Sequence, residues 1–162
     1  MNLSAKTIGS GRLVPFLKTC LAEQPIQPGT VQFEITEHSL IYDFATSRAT
    51  MNGLKQLGFK IALDDFGTQY SSLNYLVDMP FDTLKIDKSY VDKVLGHKQG
   101  AIIVAMIVSL SKQLDIATVA EGIEKEAQWD TLRDLGCDLG QGYYLAKPLP
   151  EETALRLLDN GG

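Results

Sequence analysis

Residues 60–68 read Lys60-Ile61-Ala62-Leu63-Asp64-Asp65-Phe66-Gly67-Thr68, an apolar strand that ends in two adjacent carboxylates and a glycine turn. Two like charges about 4 Å apart repel each other by roughly 4 kcal/mol at an effective dielectric constant near 20. A divalent cation between the carboxylates would remove that repulsion, and oxygen ligands favour Mg²⁺, Mn²⁺ or Ca²⁺ over softer metals. Since Asp and Gly are also ordinary turn residues, the alternative interpretation is a solvated turn at the end of a strand.

The composition is that of one globular domain and argues against several functional classes. Of the 162 residues, 44% are apolar and 22% are charged, which allows a sizeable core. The net charge of −5 argues against DNA as a partner, because a nucleic-acid backbone calls for a basic surface. The two cysteines are far apart, and the longest apolar run, residues 101–108, is much shorter than a membrane span. We therefore expect a cytoplasmic module that makes no membrane contact.

Strand and helix patterns alternate along the chain. We predict strands at Val31–Thr36, Lys60–Phe66, Thr83–Asp87, Ala117–Ile123 and Gly142–Leu145. We predict helices at Leu13–Ala22, Phe44–Leu57, Ala101–Leu114, Lys125–Leu135 and Glu151–Leu158. Gly58 and Gly136 end two of these helices. The alternation predicts right-handed βαβ units and a parallel sheet, which fits both an open doubly wound sheet and a closed barrel.

The positions of the polar residues favour the barrel. They lie in separate predicted strands or close to their ends: Glu34, Asp64, Asp65, Lys85, Glu121 and Gln141. Convergence of such groups from many strand ends onto one face is typical of a TIM barrel, whereas an open sheet collects its ligand contacts at one switch point. The fold class that we predict is therefore α/β, a TIM-barrel-like (β/α)8 fold.

Six short motifs occur in order along nearly the whole chain. They are Asn2-Leu3-Ser4, Glu34-Ile35-Thr36-Glu37, Asp64-Asp65-Phe66-Gly67-Thr68, Lys85-Ile86-Asp87, Ala120-Glu121-Gly122-Ile123-Glu124 and Gln141-Gly142-Tyr143. Together they resemble the EAL-domain family, cyclic di-GMP phosphodiesterases built on a modified TIM barrel. Any one of these motifs is weak evidence, but six in the right order are strong.

The resemblance implies a site for two divalent ions, Mg²⁺ or Mn²⁺. Asn2, Glu34, Asp64 and Glu121 would be ligands of the first ion. Asp65 would bind the second ion, with Asp64 bridging the pair. Two ions about 3.5–4 Å apart can hold a nucleophilic water and stabilise the charge that develops on a phosphodiester. The implied reaction opens one phosphodiester of cyclic di-GMP to give linear pGpG.

The resemblance also implies roles around the ions. Lys85 would orient or deprotonate the attacking water, and Gln141 would lie near that water or the substrate. Glu37 and Glu124 would hold the loop after Asp65, to which Gly67 and Thr68 belong, and would order the site.

Several of these residues also have an ordinary structural interpretation. Glu34 could be a surface acid, although its alternation with Phe33 and Ile35 directs it toward a barrel lumen if the apolar face packs on helices. Lys85 could extend to solvent from an edge strand. Glu124 could simply lie at the start of a helix, where acids interact favourably with the helix dipole.

Two departures from the family pattern stand out. Gln69 occupies a position where the family commonly has glycine, and a positive φ there would cost about 1 kcal/mol or more. The segment with the family's name-giving Glu-Ala-Leu motif, which carries a metal-ligand glutamate and a nearby substrate-binding arginine, is absent. A TIM barrel typically needs about 250 residues. We therefore expect residues 1–162 to form a single partial EAL domain, from an internal strand to the last helix, with the first strands and helices missing.

A partial barrel has unpaired sheet edges, which tend to associate. We expect a homo-oligomer or a complementing N-terminal segment to cover these edges. The function is either that of a metal-dependent cyclic di-GMP phosphodiesterase or that of a catalytically inactive, truncated EAL domain that acts as a cyclic di-GMP receptor or a protein-interaction module. The intact acids and Lys85 favour the enzyme, and the missing glutamate and arginine favour the receptor. An unrelated barrel enzyme with a metal-bound enolate would leave most of the motifs unexplained.

Overall fold

A parallel sheet, with its strands in chain order, forms the centre of the fold. The computed structural model describes residues 1–41, 43–67, 74–96 and 98–159. The strands are β1 (Asn2–Leu3), β2 (Gln32–Thr36), β3 (Lys60–Phe66), β4 (Thr83–Ile86), β5 (Ala117–Glu121) and β6 (Leu139–Gln141). Each strand pairs in parallel with the next one, and within the described ranges β1 and β6 each have one neighbouring strand.

Helices connect successive strands, as a parallel sheet requires. They are α1 (Ala5–Gly9), α2 (Leu13–Glu23), α3 (Glu37–Ile41), α4 (Phe44–Gln56), α5 (Asn74–Asp78), α6 (Lys88–Val91), α7 (Lys98–Gln113), α8 (Glu126–Asp134) and α9 (Glu151–Asp159), with a 3₁₀ turn at Pro28–Thr30. Gly58 and Gly136 follow α4 and α8 with φ of +88° in both cases, as the predicted stop signals require. No helix in the described part of the chain combines the length and the apolar character needed to cross a bilayer.

The core lies between the helices and one face of the sheet. In β2, Phe33 and Ile35 are 2% and 0% exposed, and the ring of Phe33 packs edge-on against Phe59 with 5.1 Å between the ring centroids. The alternate residues of the inner strands contribute to the same cluster, including Ile61, Leu63, Leu84, Ile86 and Ala120. Because side chains alternate along a strand, the polar residues between them point to the opposite face.

The strand predicted at Gly142–Leu145 is wrong. The last strand is β6, and residues 142–145 form a bend and a turn after it. Gly142 passes so close to Ile123 that an added Cβ would lie 2.2 Å from the Ile123 backbone nitrogen. The apolar residues that suggested a strand, Tyr143, Tyr144 and Leu145, are all exposed.

Two aspartates connect neighbouring strands at the amino-terminal end of the sheet. Asp138 Oδ2 accepts hydrogen bonds from Thr118 N at 2.8 Å and Thr118 Oγ1 at 2.7 Å. Asp82 Oδ2 accepts one from Ile61 N at 2.8 Å. Each aspartate directly precedes a strand and binds the second residue of the strand before it. The hydrogen bond from Thr118 is the main reason why the pKa of Asp138 is lower than usual.

We expect Asp138→Ala to lower the free energy of unfolding by about 1–3 kcal/mol at pH 7, because the amide of the fully buried Thr118 loses its acceptor. Since folding lowers the pKa of Asp138, its stabilisation is present above the unfolded value of about 3.9 and is lost as the pH falls through the lower folded value. Urea unfolding at neutral and acidic pH measures this difference. Asp134→Ala, at an exposed position in α8, is the control, and equal losses in both variants would contradict the prediction.

Candidate metal centre

The ammonium group of Lys85, in β4, lies among three carboxylates from three other strands. Its Nζ is 2.8 Å from Glu121 Oε1 in β5, 3.2 Å from Glu34 Oε2 in β2 and 3.2 Å from Asp64 Oδ1 in β3. Lys85 is 6% exposed, so these contacts are made largely out of water. The four side chains meet because each follows the alternation of its own strand onto the face opposite the core.

The positive charge of Lys85 and the negative charges of the acids stabilise each other. Burial alone would lower the pKa of Lys85, but the hydrogen bonds and negative charges of Glu121 and Asp64 outweigh it and raise that pKa. Burial raises the pKa of Glu121, and the hydrogen bond and positive charge of Lys85 oppose that rise. Lys85 therefore carries its proton at neutral pH and acts as a donor to the carboxylates around it.

A second grouping consists of Asp64, Asp65 and Glu121. One carboxylate oxygen from each lies within 4.8 Å of the others, a spacing that suits a shared cation. Burial, followed by the negative charges of Asp64 and Asp87, raises the pKa of Asp65. An all-oxygen donor set of this kind fits a hard divalent ion. Each carboxylate has two oxygens, so contact with Lys85 through one of them leaves the other available.

The backbone at Asp65 is unusual. Its φ is +56°, in the left-handed region that residues with a Cβ rarely occupy. Gly67, two residues later, has φ of +90°. The chain therefore turns sharply at the end of β3, between Asp65 and Gly67.

Asn2 and Gln141 flank the acids on the two outer strands. In the register of the sheet, Asn2 is the partner of Glu34 and Gln141 is the partner of Glu121. Both residues are exposed. The roles of these two residues as an ion ligand and a water or substrate contact stay predictions.

The residues predicted to order the site lie around the same end of the sheet. Glu37 begins α3 directly after β2 and is 2% exposed. Glu124 accepts a hydrogen bond from Lys88 Nζ at 2.8 Å, and the carbonyl of Gly67 accepts one from the hydroxyl of Tyr90. Thr68, together with the unusual Gln69, lies outside the described residues.

Sequence reasoning missed three residues that contact these loops. Lys88 and Tyr90 directly follow the Lys85-Ile86-Asp87 motif, and Gln128 lies in the first turn of α8. For Lys88 and Tyr90 the available signal was their position just after a recognised motif, because Glu124 and Gly67 are distant along the chain. For Gln128 the signal was its position in the first turn of a helix, where it accepts from Glu124 N and Lys125 N.

Comparison with known proteins identifies the family. The model of the EAL domain matches residues 1–148. This chain belongs to the EAL-domain family.

Solved and curated relatives support this EAL assignment. The chain is 36% identical over 154 residues to the cyclic di-GMP phosphodiesterase RocR of Pseudomonas aeruginosa, which covers 95% of this chain and 39% of RocR. The EAL domain of Mycobacterium smegmatis DcpA is similar with a TM-score of 0.91 at 36% identity, over 99% of this chain and 72% of that one. A manganese and cyclic di-GMP complex of Klebsiella pneumoniae BlrP1 matches with a TM-score of 0.81 at 32% identity, over 88% of this chain and 37% of that one.

The likeness to the EAL structures confirms the predicted α/β, TIM-barrel-like fold. This EAL chain spans 19–23% of the length of the first curated relatives that it matches. Its six parallel strands are consistent with part of an EAL barrel.

We expect Mn²⁺ or Mg²⁺ at about 100 times its dissociation constant to stabilise the EAL chain by roughly 2.7 kcal/mol. At this chain length that corresponds to a rise in melting temperature of about 5–10 °C. Thermal unfolding with and without the ion measures the shift. Glu121→Gln should abolish most of it, whereas Glu126→Gln, an exposed position in α8, should keep it. The same melting temperature with and without the ion would show that the acids do not form a metal site.

Lys85→Met should destabilise the metal-free chain by about 3 kcal/mol at pH 7, because Glu34, Asp64 and Glu121 would then repel one another without a cation. The loss should become smaller at acidic pH, where these carboxylates take up protons. Urea unfolding across pH measures it, with Lys60→Met, at an exposed position in β3, as the matched control. A loss that is the same at every pH would mean that Lys85 contributes packing alone.

Proposed function

We propose that this EAL chain is the catalytic part of a cyclic di-GMP phosphodiesterase. It would hydrolyse one phosphodiester of the cyclic dinucleotide and give linear pGpG. The observation that carries the proposal is the convergence of Glu34, Asp64 and Glu121 on Lys85, with Asp65 beside them. Membership of a family that includes the phosphodiesterase RocR supports the same chemistry.

The residues present fit divalent ions, since the acids supply oxygens at a spacing that a cation can share. The first ion would be held by Asn2, Glu34, Asp64 and Glu121. The second would be held by Asp65, with Asp64 shared between the two. When bound, Mg²⁺ or Mn²⁺ would activate a water as the nucleophile and stabilise the charge that develops on the phosphodiester.

The side chains of the protein would orient the water and contact the substrate. Lys85, protonated among the acids, would orient the attacking water by turning one of its three N–H groups from a carboxylate to that water. The amide of Gln141, on the outer strand beside Glu121, would contact that water or the substrate. The water oxygen forms a bond to phosphorus, the bond from phosphorus to the 3′ oxygen breaks, and that oxygen leaves with a proton. The product keeps a terminal 5′ phosphate.

The order of the site would depend on the acids near its loops. Glu37 is buried where β2 ends, and Glu124 is paired with Lys88 where β5 ends. Both would hold the loop after Asp65, to which Gly67 and Thr68 belong. The loss of either acid should therefore weaken metal binding more than it weakens the fold.

The assembly of the domain forms part of the proposal. Residues 1–162 would act as a single EAL unit whose outer strands β1 and β6 pair with further strands. These strands would come from a complementing N-terminal segment or from a second copy. Exposed side chains along β6, with Leu139 57% exposed, support such a contact. Sedimentation of the purified chain would distinguish a dimer from a monomer, and a monodisperse monomer that unfolds cooperatively would contradict it.

We expect the purified chain to convert cyclic di-GMP to linear pGpG in the presence of Mn²⁺ or Mg²⁺. Glu121→Gln should reduce the rate by more than about 100-fold, because it removes a proposed ion ligand. Chromatography of the products over time measures the turnover. Glu126→Gln should keep the wild-type rate.

The outcomes separate the two candidate functions. Product that disappears in Glu121→Gln supports the phosphodiesterase. Binding of cyclic di-GMP without any product would instead indicate a receptor. Product formed equally by Glu121→Gln would contradict the proposed site.

A further inference from the structure

The one-turn helix α6 lies between the loops that follow β3 and β5. Tyr90, in α6, contacts Gly67 in the first loop, and Lys88 contacts Glu124 in the second. Each loop follows a proposed ion ligand closely: Asp65 is the next-to-last residue of β3, and Glu121 is the last residue of β5. The helix is therefore placed to set the distance between the two.

Tyr90 holds the loop after β3 through its hydroxyl and its ring. The hydroxyl donates a hydrogen bond to the carbonyl of Gly67. The ring covers Gly67 so closely that an added Cβ would lie 3.1 Å from Tyr90 Cε2. Both Asp65 and Gly67 have positive φ. For Asp65 this conformation costs roughly 1–2 kcal/mol relative to ordinary backbone, so the turn needs an external contact of this kind.

Lys88 holds the loop after β5. Its Nζ is 2.8 Å from Glu124 Oε1 and 3.1 Å from Asp92 Oδ1. Its aliphatic stem lies against Gly122, where an added Cβ would be 2.6 Å from Lys88 Cγ. Gly122 directly follows Glu121 and has φ of +69°.

Gln128 connects the same loop to α6 through hydrogen bonds of its side chain. This residue is 4% exposed. Its Oε1 accepts hydrogen bonds from Glu124 N and Lys125 N, both at 2.9 Å, and its Nε2 donates to Val91 O at 3.3 Å. The β5 loop and α6 therefore form one hydrogen-bonded unit, and among the described residues Tyr90 links that unit to Gly67 in the β3 loop.

We infer that Tyr90 is a positioning residue for the metal centre. Its hydroxyl fixes the backbone from Asp65 to Gly67 relative to Glu121, so that the carboxylates of Asp64, Asp65 and Glu121 keep the separation that a divalent ion requires. The inference rests on the proposed metal site and adds the residue that joins its two halves.

Titration of Mn²⁺ into the purified chain without dinucleotide tests the inference. Tyr90→Phe keeps the ring and removes only the hydroxyl. We expect it to weaken Mn²⁺ binding about 10-fold, the effect of losing a residue that orients an ion ligand. The melting temperature of the metal-free chain should change little, and the electron paramagnetic resonance spectrum of the bound Mn²⁺ should broaden. Loss of packing alone would lower the melting temperature and leave that spectrum unchanged.

Tyr144→Phe is the matched control, because this hydroxyl interacts with Glu126 at the start of α8. Lys88→Met is a second variant that loosens the other loop and should also weaken Mn²⁺ binding. Wild-type affinity in both Tyr90→Phe and Lys88→Met would overturn the role of α6. Wild-type affinity in Tyr90→Phe alone would overturn the role of Tyr90. A wild-type chain that binds no Mn²⁺ would overturn the metal site and this inference together, whereas Mn²⁺ binding without turnover would affect only the proposed function.

Discussion

Repulsion among acids at the carboxyl end of the sheet is the constraint on which the rest of the site depends. Glu34, Asp64 and Glu121 come together only with the ammonium of Lys85 between them. Taking one such ion out of water costs several kcal/mol unless a partner compensates it. The lysine is therefore as much a part of the fold as of the chemistry. Divalent ions would interact with the same carboxylates, so stability and metal binding depend on one set of charges.

The register of the sheet determines where these acids lie. In β2, β3 and β4 the large apolar residues face the helices, and Glu34, Asp64 and Lys85 lie on the opposite face. In β5 the buried face carries Thr118 and Ala120, which leaves Glu121 on the opposite face. A slip of one residue in any pairing would move that strand's apolar set to the wrong face. The buried core thus specifies where the acids lie, although it makes no contact with a substrate itself.

Local patterns predicted the parts of the fold that have strong local signals. The bounds of β3 agree with the prediction at both ends, since an apolar run there meets two carboxylates and a glycine. The three residues of β6 carry no apolar alternation, and the aromatic residues after them suggested a strand instead. The acids of the site were recognisable because each lies in a short motif within a strand or at its end. The contact from Tyr90 to Gly67 spans 23 residues, and no local pattern could indicate it.

The two ends of the sheet carry different groups of acids. Asp82 and Asp138 connect strands at the amino-terminal end, while the carboxylates around Lys85 gather at the carboxyl end. A substitution among the proposed ion ligands therefore leaves the strand-to-strand contacts at the other end untouched. This separation gives the domain an evolutionary freedom: a descendant can change its carboxylates, keep its shape, and take on a purely regulatory role.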